Sequence, residues 1–324
     1  MDRPGALAQP VHRITAAVTT FATTYLPDAV SWCVALSGGP DSLALTAAAA
    51  HVLPTTALIV DHGLQPGSTE VAEEARRQAL KLGCVDAKVL AVEVGAVGGP
   101  ESAARTARYA ALDDARAGAQ VLIGHTLDDQ AETVLLGLGR GSGPRSISGM
   151  RPHDPPWCRP LLALRRAETE AACAELGVNA WRDPHNADPR FTRVRLRSEV
   201  LPLLEEVLGG RVAEALTRTA AALQDDADVL DALAADGYAA AHAGECLDVA
   251  VLTPLPAAIR RRVIRAWLRS GGAVGLSDKQ IRAVDALITD WRGQGGVAVG
   301  AGLVRQRLFA ERKRGMLTLR SELA

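Results

Sequence analysis

Three short stretches hold residue types that handle phosphate, magnesium and amines, and each follows an apolar run. The first is Ser37-Gly38-Gly39-Pro40-Asp41-Ser42. Glycines let a backbone turn tightly and approach a ligand closely, because no Cβ intervenes. A helix opening at such a turn offers free N–H groups and a partial positive charge to an anion. Ser37 and Ser42 add hydroxyl donors, and Asp41 suits a magnesium ion that bridges phosphates. The G-K-[ST] ending of a Walker loop is missing. A lone Ser-Gly-Gly turn with an aspartate cap would be plain local structure. Six such residues between a strand and a helix read as a nucleotide loop.

The second stretch is Asp61-His62-Gly63-Leu64-Gln65, with Ser68 and Glu70 opening the next helix. Asp61 and His62 stand where an adenosine would be held, although a turn and a helix cap use the same residues. The third is His125-Thr126-Leu127-Asp128-Asp129-Gln130-Ala131-Glu132-Thr133. His125, Asp129 and Glu132 recur at helical spacing and so share one face. Asp128 lies off that face and reads as the helix cap, which leaves Asp129 to partner Asp41 at magnesium. A solvated polar stripe has the same spacing, but Val134, Leu135, Leu136 and Leu138 already supply a core face.

Arginines complete the set. Arg105 and Arg108 are three apart on a helical stretch and share a face, suited to negative charge developing at a phosphate. Arg193, Arg195 and Arg197 alternate or wind partly round a helix, so they cannot all enter one site. One of them can enter a phosphate site while the others face outward, and a solvated basic segment would have the same spacing.

Positioning these residues calls for alternating strands and helices. Ser31–Leu36, Thr56–Val60, Ala87–Val92 and Val121–Gly124 read as strands. Helical patterns cover Asp41–His51, Ser68–Leu82, Ser102–Ala117 and Leu127–Leu138. That alternation implies a parallel sheet covered by helices, with ligands beyond the carboxyl ends of the strands. Gly139–Arg159 reads as a loop, Ala167–Leu176 as a helix, and a long helix runs from about Arg211 to Ala241. Helices near Ala257–Leu268 and Ser277–Trp291 and short strands at Val297–Val299, Leu303–Leu308 and Met316–Leu319 follow. The expected architecture is an α/β catalytic domain over 1–208 and a smaller, mainly helical domain over 209–324, parted at Gly209-Gly210.

Composition agrees with a two-domain globular chain: 324 residues, 48% hydrophobic and 23% charged. No apolar run is long enough to span a bilayer and no secretory leader is visible, so the expectation is cytoplasmic, with no membrane partner. The five cysteines are scattered without a paired motif, which speaks against a disulfide frame, a zinc site or an iron–sulfur site. Net charge is only −1, yet basic residues are segregated. From Ala257 to Arg320 there are fourteen basic residues and four acids, whereas Arg211–Pro256 holds two and eight. Solvated helix faces or an RNA surface both accommodate that.

The six-residue loop resembles the PP-loop of the N-type ATP pyrophosphatases, which adenylate a carbonyl oxygen and release pyrophosphate. V-D-H-G-L at Val60–Leu64, A-R-x-x-R-Y at Ala104–Tyr109, H-x-L-D-D-Q-A-E-T at His125–Thr133 and R-P-L-L at Arg159–Leu162 resemble the tRNA(Ile)-lysidine synthases. Two positions depart from that family: His185 where serine is common, and Val194 where asparagine is. Specific motifs run from Val34 to Leu204, and the likeness is looser beyond.

The resemblance implies ATP and Mg2+, free L-lysine as co-substrate, and tRNA(Ile) with a CAU anticodon as partner. Its wobble cytidine would be adenylated and then attacked by the lysine ε-amine, switching decoding from AUG to AUA. An ammonium of pKa near ~10 must be held by acids and lose protons before it attacks. Asp129 and Glu132 would hold it, with His125 polarising the adenylated centre or relaying a proton. Asp41, Arg105, His125, Asp129 and Glu132 are thus the catalytic candidates, and Ser37 to Ser42 with Asp61 and His62 the ATP set. Asp41 and Asp129 are the metal pair; Arg193, Arg195, Arg197, Arg305 and Arg307 are the tRNA contacts. The further C-terminal domain of longer relatives is expected to be absent, and a homodimer is left open. The alternatives are a PP-loop thiolase, which would need paired cysteines or an iron–sulfur site, and a non-catalytic nucleotide-dependent RNA-binding module, which would need a degraded loop.

Overall fold

A computed structural model describes residues 10–63, 67–95, 99–141, 143–181, 183, 188–301 and 306–323. Leu64, Gln65, His185 and Arg305 lie outside them. The chain divides into two compact units, 1–141 with 146–220, and 142–145 with 221–324.

The first unit begins with α1 (Pro10–Tyr25), followed by β1 (Trp32–Ala35), α2 (Pro40–Val52), β2 (Thr55–Asp61), α3 (Ser68–Lys81) and β3 (Asp86–Ala91). Then come α4 (Pro100–Ala115), β4 (Val121–Ile123) and α5 (Leu127–Gly139). The strands pair in the order β3-β2-β1-β4, all parallel. Their residues alternate between two buried faces. Val34, Ala57, Ile59 and Leu122 join α1, α2 and α3 in one core, while Cys33, Leu58 and Val121 meet Leu112 of α4 in another. In α1, which the sequence reading left unassigned, Ile14, Val18, Phe21 and Ala22 form one buried stripe.

The stretch expected to be a loop, Gly139–Arg159, contains α6 (Pro144–Ile147) and the hairpin β5 (His153–Asp154) and β6 (Trp157–Cys158). β6 extends the sheet parallel to β4, and β5 closes its edge antiparallel, so the sheet is parallel except at that edge. α7 (Arg166–Glu175) packs with α1 and α2. α8 (Thr192–Arg195), a π turn over Leu196–Val200 and α9 (Leu201–Val207) lead into α10 (Val212–Ala241).

The division between the units falls at 220/221, inside α10, whereas the expected boundary was the Gly209-Gly210 pair. Both glycines have positive φ and end α9, so they mark a turn between helices. The second unit continues with β7 (His242–Ala243), β8 (Cys246–Asp248), α11 (Val249–Leu252), α12 (Ala257–Ser270) and α13 (Asp278–Thr289). β9 (Val297–Ala301), β10 (Gln306–Lys313) and β11 (Met316–Leu323) complete it. Its sheet is antiparallel, ordered β7-β8-β11-β10-β9. Trp267, Ile264 and Val263 of α12 and Val284 and Leu287 of α13 share its core with Leu317 and Ala310.

Candidate active site

Strand order reverses direction at β1: β2 lies on one side, β4 on the other. Ligands of open α/β sheets bind at such a switch point. The loops leaving β1 and β4 meet there. A Cβ on Gly124 would stand 3.0 Å from the carbonyl carbon and oxygen of Asp41, so a larger residue would push the Asp41 backbone aside.

The phosphate loop is tied from within. Gly38 takes φ +81°, and its carbonyl accepts the Trp181 N–H at 2.9 Å. Ser42 Oγ donates to the Gly39 carbonyl at 2.9 Å and receives the Ser37 N–H at 3.2 Å. The two serine hydroxyls lie 3.1 Å apart, so they shape the loop. Pro40 starts α2 with φ already helical, and Asp41 sits in its first turn.

Asp41 is not a bare carboxylate. Its Oδ2 accepts Arg166 Nε at 2.9 Å, and its Oδ1 accepts the buried Thr169 hydroxyl. The same guanidinium donates through Nη2 to Asp129 Oδ1 at 2.8 Å and approaches Glu132 Oε1 at 4.0 Å. Arg197 Nε donates to Glu132 Oε1 at 2.7 Å, and Arg193 Nη1 lies 3.6 Å from Oε2. Three acids therefore face three arginines on α7, α8 and the π turn.

Burial raises the Asp41 carboxyl, against Arg166 and Thr169. Burial also raises Glu132, with Arg197 opposing, and Glu132 Oε2 finds no hydrogen-bond partner among the described residues. Burial pushes Asp129 up too, but Arg166, His125, the Thr126 N–H and Arg197 outweigh it and leave Asp129 below the usual range.

Two expectations about α5 need correction. Its cap is Thr126 with Asp129: Asp129 Oδ2 accepts the Thr126 N–H at 2.8 Å and its hydroxyl at 3.0 Å. Asp128 instead accepts the Arg166 N–H at 2.7 Å and holds α7 to α5. His125 precedes the cap, so the shared helical face holds only for Asp129 and Glu132. His125 nevertheless lies by Asp129, and burial holds its imidazole down to about 3, so it is neutral at ordinary pH. Asp129 uses one oxygen as a cap and offers the other to the site.

No group of three or more His, Cys, Asp or Glu gathers for a metal among the described residues. Magnesium takes one or two carboxylates and completes its shell with phosphate oxygens and water. Asp41 and Asp129 converge on the Arg166 guanidinium, and those two carboxylates are the residues that would hold a magnesium ion.

Sequence profiles agree with this geometry. The PP-loop domain profile matches residues 11–204, and the TilS substrate binding domain profile matches 247–317. A tRNA(Ile)-lysidine synthase of Mycolicibacterium paratuberculosis is 67% identical over 319 residues, 98% of each chain. The chain belongs to the tRNA(Ile)-lysidine synthase family. Lysidine synthases of Mycobacterium leprae (62% identical, 98% of each chain) and Rhodococcus jostii (57%, 94% of this chain and 93% of that one) are similar throughout. A U34-tRNA thiolase, NcsA of Methanococcus maripaludis, superimposes over 67% of this chain and 80% of its own at TM-score 0.53 and 17% identity, a likeness of fold.

The remaining candidates of this lysidine synthase family member separate by position. Asp61 serves its own turn, accepting Gly63 N–H at 3.0 Å and the Thr69 hydroxyl at 2.9 Å, which hold its carboxyl low. His62 is half-buried and depressed by burial and then Arg108, and its Nδ1 has no hydrogen-bond partner among the described residues. Arg105 donates to the Tyr109 hydroxyl at 3.1 Å and lies over that ring. The charges of Arg159, Arg105 and Arg108 each act to lower His125, behind the larger effect of burial.

Arg193 and Arg197 turn inward to the acids. Arg195 turns outward and pairs with Glu199 at 2.8 Å, as two residues of helix require. Arg307 is exposed on β10. Sequence reasoning missed Arg166 and Thr169, and named Arg159 only within the R-P-L-L motif, with no role. Arg159 is only 6% exposed and donates to the Arg151 carbonyl at 2.8 Å. A signal existed for Arg166, since a basic residue opening a helix is dipole-unfavourable without acids nearby.

Proposed function

We infer that this chain is an ATP-dependent ligase that joins lysine to the wobble cytidine of the CAU anticodon of tRNA(Ile). The observation behind that reading is the single guanidinium of Arg166 shared by Asp41 of the phosphate loop and Asp129 of the acid helix. That bridge supports one site in which the nucleotide loop lies beside the acids that would hold the amine.

The N–H groups opening α2, with Gly38 and Gly39, receive the ATP phosphates. Asp41 and Asp129 would hold Mg2+, which when bound offsets the charge of the departing pyrophosphate. Arg105 and Arg108 approach from α4 and counter the negative charge that builds up as the cytosine carbonyl oxygen takes the adenylyl group. Asp129 and Glu132 hold the lysine ε-ammonium. Glu132, with a raised carboxyl and one oxygen that accepts no hydrogen bond among the described residues, is the acceptor for its proton. Neutral His125 serves as a hydrogen-bonding group toward the adenylated base.

A pocket of about 130 Å³ shares Arg197 with the site and is lined also by Asp128, Arg165, Leu201, Pro202, Glu205 and Ala213. We assign it to the amino-acid end of lysine. Arg165 and Arg197 face its carboxylate, Asp128 its α-ammonium, and the apolar residues its methylenes. Cadaverine, which lacks the carboxylate, should then be a poor substrate.

Thiol chemistry is less favoured. Cys33, Cys84, Cys158 and Cys173 are buried, and burial raises each thiol, Cys84 and Cys173 to about 11 and Cys158 to about 12. The deciding experiment supplies ATP, magnesium, labelled lysine and tRNA(Ile) bearing CAU. Label fixed to that tRNA but not to tRNA(Met) is expected. Pyrophosphate release without lysine incorporation would sink the lysidine reading and leave adenylation standing.

A further inference from the structure

The α12 helix carries five arginines and no acid. They have two different duties. Arg260 is buried, and its Nε donates to Asp285 Oδ1 at 2.5 Å; Arg261 donates to Oδ2 at 2.8 Å. Those two lock α12 to α13. Arg262, Arg265 and Arg269 follow i, i+3, i+7 spacing and form a stripe opposite the buried Val263, Ile264, Trp267 and Leu268. Arg265 and Arg269 make no ion pair that ties α12 to its neighbours among the described residues.

A fourth arginine joins it from a distant point in the sequence. Segment 142–145 belongs to this unit, and Arg145 Nη2 meets Asp231 Oδ1 at 2.6 Å. The same oxygen accepts Arg262 Nε at 2.8 Å, so one carboxylate orients two guanidinium groups side by side. Arg265 and Arg269 form no ion pair among the described residues. Burial and then Arg145 weaken the hold of Arg265 on its proton; Arg269 and Arg262 add to this, and Asp278 opposes. Asp231 offsets part of the charge on Arg145 and Arg262, while Arg265 and Arg269 add two charges with no ion pair among the described residues, so the stripe keeps a net positive charge that attracts an anion. Arginine rather than lysine suits phosphate oxygens, which its planar fork engages in pairs.

We propose that Arg145, Arg262, Arg265 and Arg269 form a phosphate-binding stripe that grips the sugar–phosphate backbone of a tRNA stem. This rests on the tRNA-modifying reading above; α12 lies within the span matched by the substrate binding domain profile. Contacts of this kind position the RNA without reading its sequence. The stripe should therefore contribute affinity and salt dependence, while recognition of the base stays with the other unit.

The test is fluorescence anisotropy of labelled tRNA(Ile) titrated with full-length protein at several salt concentrations. The double variant Arg265→Gln/Arg269→Gln removes two charges that hold no ion pair, so folding is spared; circular dichroism and thermal melting check that. It is expected to weaken binding and to flatten the slope of log K against log salt by about 0.9 per lost contact, about 1.8 in all. Adding Arg262→Gln should flatten it further. A charge-matched control, Arg76→Gln/Arg77→Gln on α3, should leave the slope as it was. A folded double variant with wild-type affinity and slope overturns the stripe. Failure of the wild type to bind tRNA at all would overturn the function reading and the stripe with it.

Discussion

Replacing Arg166 with glutamine should unfold the first unit sooner and in a pH-dependent way. The side chain is 19% exposed and bridges Asp41 (18%) and Asp129 (13%), with Glu132 close by at 0%. Removing one partner of a buried ion pair costs about 3–5 kcal/mol, because the other charge is left uncompensated. Some water reaches these groups and a glutamine amide retains one hydrogen bond, so the cost here is about 2–4 kcal/mol. For a unit of roughly this size that lowers Tm by about 4–16 °C.

The sign of the pH effect follows from linkage. In the variant, both carboxylates lose the cation that favours their charged form, so their folded pKa values rise. A carboxylate raised above its unfolded value is destabilising at neutral pH and is relieved as it takes up a proton. The deficit should thus be largest near pH ~7 and shrink as pH falls toward ~4.5. Magnesium with ATP should restore part of it, by binding the folded state where the guanidinium stood. Differential scanning calorimetry of wild type and variant across that range provides the test. A Tm within 2 °C (about 0.5–1 kcal/mol) of wild type at neutral pH, or a deficit that grows on acidification, would refute the idea that Arg166 is the neutralising cation of the site.

Gly124→Ala should abolish pyrophosphate release at modest cost in stability, about 1–3 kcal/mol, because the added Cβ meets the Asp41 backbone and displaces the phosphate loop; nucleotide binding by calorimetry checks it. His125, held down to about 3 by burial, stays neutral in the folded state while the unfolded chain protonates it below about 6.5. Its stabilising effect is therefore present above that pH and lost as pH falls below it, so His125→Gln should reduce acid sensitivity by about 1–2 kcal/mol between pH ~6.5 and ~4.5, seen in denaturant melts. Glu132→Gln should leave pyrophosphate release largely intact and cut lysine incorporation by at least about tenfold, since only the amine step uses its proton-accepting oxygen. Asp285→Asn should destabilise the second unit by about 2–4 kcal/mol, leaving Arg260 buried without its charge partner.

Local pattern was enough for the parallel α/β frame and the phosphate loop. The apolar runs of β1, β2, β3 and β4 and the helical periods between them are short-range features, and glycine's freedom at Gly38 is a property of one residue. The acids Asp129 and Glu132 were equally legible, because three residues of helix put them on one face. Other features depended on contacts that spacing does not encode. Arg166 reaches Asp41 across 125 positions and Asp129 across 37, so no window of sequence contains the bridge. Asp128 and Asp129 are neighbours of one type; Asp129 both caps α5 and faces the site, and only the docking of α7 against α5 gave Asp128 its partner, the Arg166 N–H. The same holds for the five-stranded sheet of the second unit: β7 and β8 are too short to announce themselves, and become strands as β8 pairs with β11 and β7 with β8. Sequence determined which groups were present and which local turns held them. Tertiary packing decided which charges met, because an ion pair is set by distance in space and by loss of water, and neither is a function of spacing along the chain.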